Sequence, residues 1–322
     1  MPKSYTHLTY EQRCQIFVLI ESGDSITKIA RVIRVHRSTI SREIKRNAEQ
    51  GKYHHEIANK KARSRRLLSP NKKMTPHLIS IIEEKIQLDW SPVQISGRLK
   101  KQGNEYVSHE TIYKHIWADK KEGGFLFRHL RHKGKKYNKR CNKNSGRGCI
   151  PNRIDIDFRP LIVEEKKRLG DWELDTIIGA NHKGAIVSIV DRASKLTKLV
   201  KVPNKSSENV GKAIISVLSP IQDHVLTLTA DNGKEFASHQ KVSLELQSEF
   251  YFAKPYHSWE RGLNEHTNGL VRQYFPKGKS FENISQEDIE KVENYLNHRP
   301  RKVLNFETPK EAFDRLATVD FH

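Results

Sequence analysis

The chain has 322 residues, enough for two or three domains and at least one sizeable core. Three cysteines make no disulfide framework, no apolar run reaches the length of a membrane span, and the start "MPKSYTHLTYEQR" has no apolar leader. A soluble cytoplasmic protein is expected, with a formal charge of +20 that is unevenly placed: residues 1–150 hold 33 Lys and Arg against 13 Asp and Glu, and residues 151–322 hold 25 of each. A concentrated positive field is the usual footprint of nucleic-acid binding; the blander source is a solubilising or ribosome-associated surface.

The first stretch, "LTYEQRCQIFVLIESGDSITKIARVIRVHRSTISREIKRN", predicts three helices in a domain spanning 1–58. Thr9 and Gln12 have capping-box spacing. Ile16, Phe17, Leu19 and Ile20 form an apolar face, and Gly23 ends the helix. Ser25 caps the second helix, which carries Ile29, Ala30 and Ile33. After a turn at Arg34–His36 the third helix starts near Arg37, with Ile40 and Ile44 inward. Its outward side offers Arg37, Thr39, Arg42, Lys45 and Arg46, with Ser38 and Ser41 close by. This is the pattern of a helix-turn-helix: hydroxyls and Arg suit base edges, Lys and Arg suit phosphates. A small basic bundle that reads nothing is the plainer alternative.

"KKARSRRLLSPNKK", residues 60–73, reads as a basic connector. A second helical module is expected at 75–120, with Ser91 and Pro92 opening one helix, Gly103 ending it, and Ser108 capping the next. Its outward face, His109, Glu110, Lys114 and His115, is mixed, so DNA contact and simple packing both remain open. Residues 121–154 read as a basic linker; the part from 128 to 147 holds nine Lys or Arg and no acid. Cys141 and Cys149, with His129 and His132 upstream, do not fit standard zinc-finger spacing.

From about Asp155 the charge balances and β-like runs appear. "DWELDTIIG", "GAIVSIVD" and "KLTKLVKV" predict three successive strands, "HVLTLTA" a fourth and "EFYFAK" a fifth. Helices are expected from Ser206 or Ser207, over Ser238–Gln247, in "RGLNEHTNGLVRQYF" and in "QEDIEKVENYLNHR". Three hairpin-joined strands followed by alternating units predict an α/β domain over 155–322 with a mixed five-stranded sheet and flanking helices.

Ligand sites in open α/β sheets lie outside the carboxyl ends of strands. Asp231 stands at such an end, although Asp-Asn-Gly is also good turn chemistry. On the first strand Asp171, Glu173 and Asp175 share one face. Asp175 reads as the deepest of them and the other two as lying at a solvated entrance. Glu265 sits in the first turn of a helix, where a carboxylate also suits the helix dipole; Glu260 is a rival in the loop beside Trp259. Two Asp and one Glu form the oxygen-rich donor set that Mg²⁺ takes, and two such ions serve phosphoryl transfer. Arg272 lies seven residues after Glu265, two turns along the same face, where it can reach a DNA strand or be a plain surface charge. Gly233 serves close backbone approach or the turn alone.

On the motifs "STISREIKRN", "GDWELDTIIG", "TADNGKEF" and "NEHTNGLVRQYFPKG" the chain resembles the insertion sequence 30 family of bacterial DDE transposases over nearly its whole length. The resemblance implies a ribonuclease H-like catalytic core preceded by all-α helix-turn-helix domains. It carries catalytic and metal-binding roles onto Asp175, Asp231 and Glu265, selects Asp175 over Glu173, and makes Arg272 the basic residue that follows the glutamate. The implied activity is binding of the terminal inverted repeats, strand cleavage and strand transfer into target DNA. Two Mg²⁺ per site, replaceable by Mn²⁺, and a homodimer or higher oligomer on nucleoid DNA are expected with it. A repressor without catalysis, or a nuclease that cuts without joining, are the alternatives.

Overall fold

The computed structural model describes residues 7–67, 74–103, 105–131, 150–254 and 262–319. They belong to two compact units, residues 1–73 and 74–322.

In the first unit the three expected helices are α1 (Tyr10–Glu21), α2 (Ile26–Ile33) and α3 (Arg37–Asn47). The capping box forms: Gln12 N–H donates to Thr9 Oγ1 at 3.2 Å and Thr9 N–H to Gln12 Oε1 at 3.0 Å. A core of Ile16, Ile29, Ile33 and Ile40 closes over Tyr53 and Ala58. Those last two residues belong with a fourth helix, α4 (His55–Leu67), where a connector was expected and where the first domain was expected to have ended. Its high basic content hides one small buried residue and a structural role for its charges. Lys61 donates to the Ala48 carbonyl at 3.3 Å, and Arg65 to the Arg46 carbonyl at 3.0 Å and to Asn47. These cations meet the carboxyl end of α3, where the helix dipole favours positive charge. Beneath them Arg13, 5% exposed, joins α1 to α3 and α4 through Glu43 (2.7 Å) and Asn59 (3.3 Å).

The second unit begins with α5 (Pro76–Gln87), α6 (Pro92–Lys101) and α7 (His109–Lys121), packed through Leu78, Ile82, Ile95, Leu99, Ile112 and Ile116. Ser91 and Ser108 cap α6 and α7 as expected. α5 was not foreseen. Leu126, Phe127 and Leu130 pack on this module, so the start of the expected linker is folded. The short α8 (Ile162–Glu165) then precedes the sheet.

The five strands are β1 (Asp171–Ile178), β2 (Ala185–Asp191), β3 (Thr197–Val202), β4 (Thr227–Ala230) and β5 (Glu249–Phe252), in the order β3-β2-β1-β4-β5. The β1–β2 and β2–β3 pairs are antiparallel; β1–β4 and β4–β5 are parallel. One face is covered by α9 (Ser207–Leu218), α10 (His239–Leu246) and Phe313 of α13 (Pro309–Val319). The other is covered by α11 (Gly262–Tyr274) and α12 (Gln286–Asn297). This is the mixed five-stranded, helix-covered sheet that was expected; α13 is an addition.

The helical module is fastened to the segment that leads into α13. Arg98 grips Glu311 at 2.5 and 2.8 Å, Lys101 meets Glu307 at 3.1 Å, and Gln94 donates to the Pro300 carbonyl at 2.8 Å. Gly97 lets the Phe306 ring come close against α6: a Cβ there would fall 2.2 Å from ring carbons. Gly97→Ala should therefore cost about 1–3 kcal/mol by overpacking, read as a lower urea midpoint of the intact chain. An unchanged midpoint would mean that the ring swings aside freely.

Candidate active site

The crevice follows from unequal strand lengths. β4 pairs with β1 only as far as Thr229 opposite Glu173, and it ends at Ala230. Asp175 on β1 and Asp231, just past the end of β4, each lie two residues beyond that last pair. Beyond this point β1 keeps β2 on one side, with Asp175 opposite Ser188, and has no described strand paired on the other. Asp175 and Asp231 are both half-buried. The Gly233 N–H donates to Asp231 Oδ1 at 2.9 Å, so the Asp-Asn-Gly turn also orients the carboxylate.

The order of depth expected along β1 is reversed. Asp171 and Glu173 are fully buried, and Asp175 is the more open acid. The amino end of β1 lies in the middle of the sheet, under a layer of arginines. Arg168 binds Asp171 through two bonds at 2.9 and 3.0 Å, and Thr227 Oγ1 adds a third at 2.8 Å. Glu173 meets Arg192 at 3.2 Å, with both side chains 1% exposed. It also accepts the Asn264 N–H at 3.2 Å, in the first turn of α11, where helix amides lack partners. Burial still raises the Glu173 carboxyl above its usual range, against the pull of Arg192. These two acids hold the sheet together and are closed to substrate.

α11 runs along β1 in register. Asn264 reaches Glu173, and Asn268 Nδ2 donates to Asp175 Oδ2 at 2.7 Å. Arg272 Nη2 donates to the Ile178 carbonyl at 2.8 Å. Four-residue spacing returns each contact to the same helical face. Ser188 Oγ donates to Asn268 Oδ1 at 2.7 Å, which fixes which end of that amide faces Asp175. Glu265 is exposed on α11 between the first two contacts. Arg272, expected at DNA, is engaged at least partly in this docking and lies over the Phe281 ring. Glu260 and Trp259 lie outside the described residues. Asn268 was missed because an amide carries no charge signal; its spacing of three from Glu265 was the available clue. Glu235 was also passed over: its Oε1 accepts from Thr176 Oγ1 at 2.9 Å, and with Asp231 it crowds the space a Gly233 side chain would need.

The donor set is all carboxylate oxygen, which suits a hard cation such as Mg²⁺. Among the described residues no three His, Cys, Asp or Glu side chains form a ready metal cage. Mg²⁺ ordinarily uses one or two carboxylates with water and substrate phosphate, so the half-buried pair with Glu265 nearby is chemically compatible with it.

In the first unit α3 shows the outward chemistry expected of it. Arg37, Ser41, Arg42, Lys45 and Arg46 are exposed, Ser38 and Thr39 are half-buried, and Ile40 is buried. Ser38 N–H is taken by His36 Nδ1 at 3.2 Å, which caps the helix. His129 pairs with Asp89 at 2.9 Å rather than with a thiol; Cys141, Cys149 and His132 fall outside the described residues. No described helix is long and apolar enough to cross a membrane.

Residues 4–47 match the model of a helix-turn-helix domain family. The chain is 48% identical to the transposase for insertion sequence element IS4351 of Bacteroides fragilis, over 96% of each protein. It is 33% identical to the transposase InsI for insertion sequence element IS30A of Escherichia coli (strain K12), over 97% of this chain and 85% of that one. Among solved structures, the catalytic core domain of BIV integrase covers 47% of this chain and 97% of its own at 20% identity, with a TM-score of 0.38.

The two classes of acid should part in stability. Glu173→Ala takes one of two carboxylates from buried Arg192, Glu164 at 3.0 Å being the other, and should cost about 1–3 kcal/mol in urea unfolding. Asp175→Ala, at the open end of the same strand, should leave the midpoint near that of the parent. Equal losses would mean that Asp175 is structural as well.

Proposed function

The chain belongs to the insertion sequence 30 family of transposases, and on that premise we propose that it binds the terminal inverted repeats of its element and cuts and joins DNA in the β1–β4 crevice. The acids that act there are Asp175, Asp231 and Glu265. The observation that supports this reading is the parallel β1–β4 pairing, which runs to Glu173 and Thr229, with Asp175 and Asp231 each two residues further along. α11 is docked along the same strand, with Glu265 exposed beside its contact to Asp175.

Cleavage and joining are the same exchange of phosphodiester bonds, with water or a 3′-OH as the attacking group. The chain's part is to hold carboxylates where negative charge and phosphate must be brought together. Asn268, steadied by Ser188, keeps one Asp175 oxygen in place; the Gly233 amide does so for Asp231. Two Mg²⁺, or Mn²⁺ in their stead, held by the three acids would activate the attacking oxygen and stabilise the leaving one. Arg272 locks α11 to β1, and any DNA contact it makes builds on that position. Exposed Arg37, Ser41, Arg42, Lys45 and Arg46, with Ser38 and Thr39, form the surface that enters a major groove. The working form is a homodimer or higher oligomer on DNA, in the cytoplasm at the nucleoid.

Incubation of the intact protein with DNA flanking its own gene, scoring nicked and joined products separately, tests the reading. Asp175→Ala, Asp231→Ala and Glu265→Ala should each abolish both products while binding persists. Near-normal joining by any one would remove that residue from the site. Mg²⁺ or Mn²⁺ should support chemistry, Ca²⁺ should support binding with little chemistry, and excess chelator should stop the reaction. Nicking without joining would favour a nuclease.

The reader has its own signature. Arg42→Ala should cost about 1–3 kcal/mol on terminal DNA and relax preference at one base position. Lys45→Ala should weaken all duplexes alike and lower the salt slope by about one unit. Titration of the intact chain on terminal and scrambled duplexes at several salt concentrations checks both. Equal affinity of the parent for the two duplexes would count against sequence reading by α3.

A further inference from the structure

α11 carries a second charged surface beside the acids. Gly269 lies four residues after Glu265, one turn along the same face. The Arg131 guanidinium crosses the helix there: a Cβ on Gly269 would come 2.8 Å from its Nη2. His266, the neighbour of Glu265, has Arg301, Arg131 and Arg299 within electrostatic reach.

Arg299 is 4% exposed. Its Nε donates to Gln94 Oε1 at 2.9 Å, but its Nη1 is buried with no partner. Arg301 donates through Nη2 to the Leu296 carbonyl at 3.1 Å, and burial together with Arg299 lowers its pKa to about 10. Asp89, the acid whose field reaches Arg299, is already engaged by His129 at 2.9 Å. Among the described residues none of the three arginines has a carboxylate within ion-pair distance. A cluster of like charges, one of them buried with an unmade bond, is costly as it stands. An anion supplied from outside relieves the repulsion, and guanidinium forks match phosphate oxygens in pairs.

We propose that Arg131 and Arg301, backed by the buried charge of Arg299, form a docking site for one DNA backbone phosphate, a helical turn along α11 from Glu265. The proposal rests on the DNA-processing reading above. The role of the site is positioning, since a strand anchored there is held at a fixed distance from the acids. The arginines come from two parts of the second unit, Arg131 from the segment after α7 and Arg299 and Arg301 from the segment after α12, so the site exists only once the helical module has docked on the sheet domain.

The test uses the intact chain and a duplex from the edge of its gene, in a parent series and a series with single methylphosphonates that remove one phosphate charge at a time. Arg131 is exposed, so Arg131→Gln should keep the parent's thermal midpoint. It should lower the slope of log affinity on log salt by about one unit, and Arg301→Gln should do the same. One methylphosphonate position that weakens the parent should leave Arg131→Gln unaffected. Arg299→Lys, which keeps the charge, should retain the slope that Arg299→Gln loses. A slope and an interference pattern in Arg131→Gln that both match the parent would overturn the site. So would a slope change tied to no single phosphate, which denotes a diffuse field. Nicking is scored in parallel: its absence in the parent would count against the transposase reading, while the binding series still reports on the phosphate site.

Discussion

The docking of α11 along β1 is the constraint on which the site depends. Three contacts, from the Asn264 amide, the Asn268 side chain and the Arg272 guanidinium, reach Glu173, Asp175 and the Ile178 carbonyl in turn. Their four-residue spacing matches the helix to the strand and leaves little freedom to slide. Glu265 is positioned by these contacts without taking part in them. If the helix slipped by one turn, Glu265 would move about 5.4 Å relative to the aspartates. Catalytic geometry tolerates far less, so the polar ladder serves function through register more than through its own modest hydrogen-bond energy.

That ladder divides similar residues between unlike roles. Asp171, Glu173 and Asp175 alternate along one strand face, yet the first two end beneath Arg168 and Arg192 and the third ends at the crevice. Buried acids of this kind need their partners, because a carboxylate without one in the low-dielectric interior is strongly disfavoured. The arginine layer also explains why a domain of balanced charge is far from electrically featureless. It collects acids and bases in pairs inside, and it leaves carboxylates at the crevice and a cluster of guanidiniums around Arg299.

In the first unit the same division appears with opposite sign. Arg13, Lys61 and Arg65 are engaged by Glu43, by Asn47 and by carbonyls at the end of α3. The cations that remain outward on α3 can meet phosphate or base edges. A basic composition therefore overstates the surface open to a partner: part of the charge holds α3 in place, and part of it stays outward.

Much of this was legible in the chain itself. Period-two and period-3.6 patterns, serine caps and turn glycines marked the strands and most helices, because those signals act over a few residues. Asp175, Asp231 and Glu265 were legible as candidates from strand alternation, from a strand end and from a first helical turn. α4, α5 and α13 were not, since basic or mixed composition obscures an apolar face that only its packing partner reveals. The relative depth of Asp171, Glu173 and Asp175 was misjudged for a similar reason: alternation tells which face a residue takes, but depth depends on where the neighbouring strand stops. Local sequence determined the elements, the helix-turn-helix and the candidate acids. The tertiary structure decided which acids are buried, that Asn268 holds Asp175, and that Arg299 is buried with an unpartnered Nη1, because burial and long-range pairing are set by segments distant in the chain.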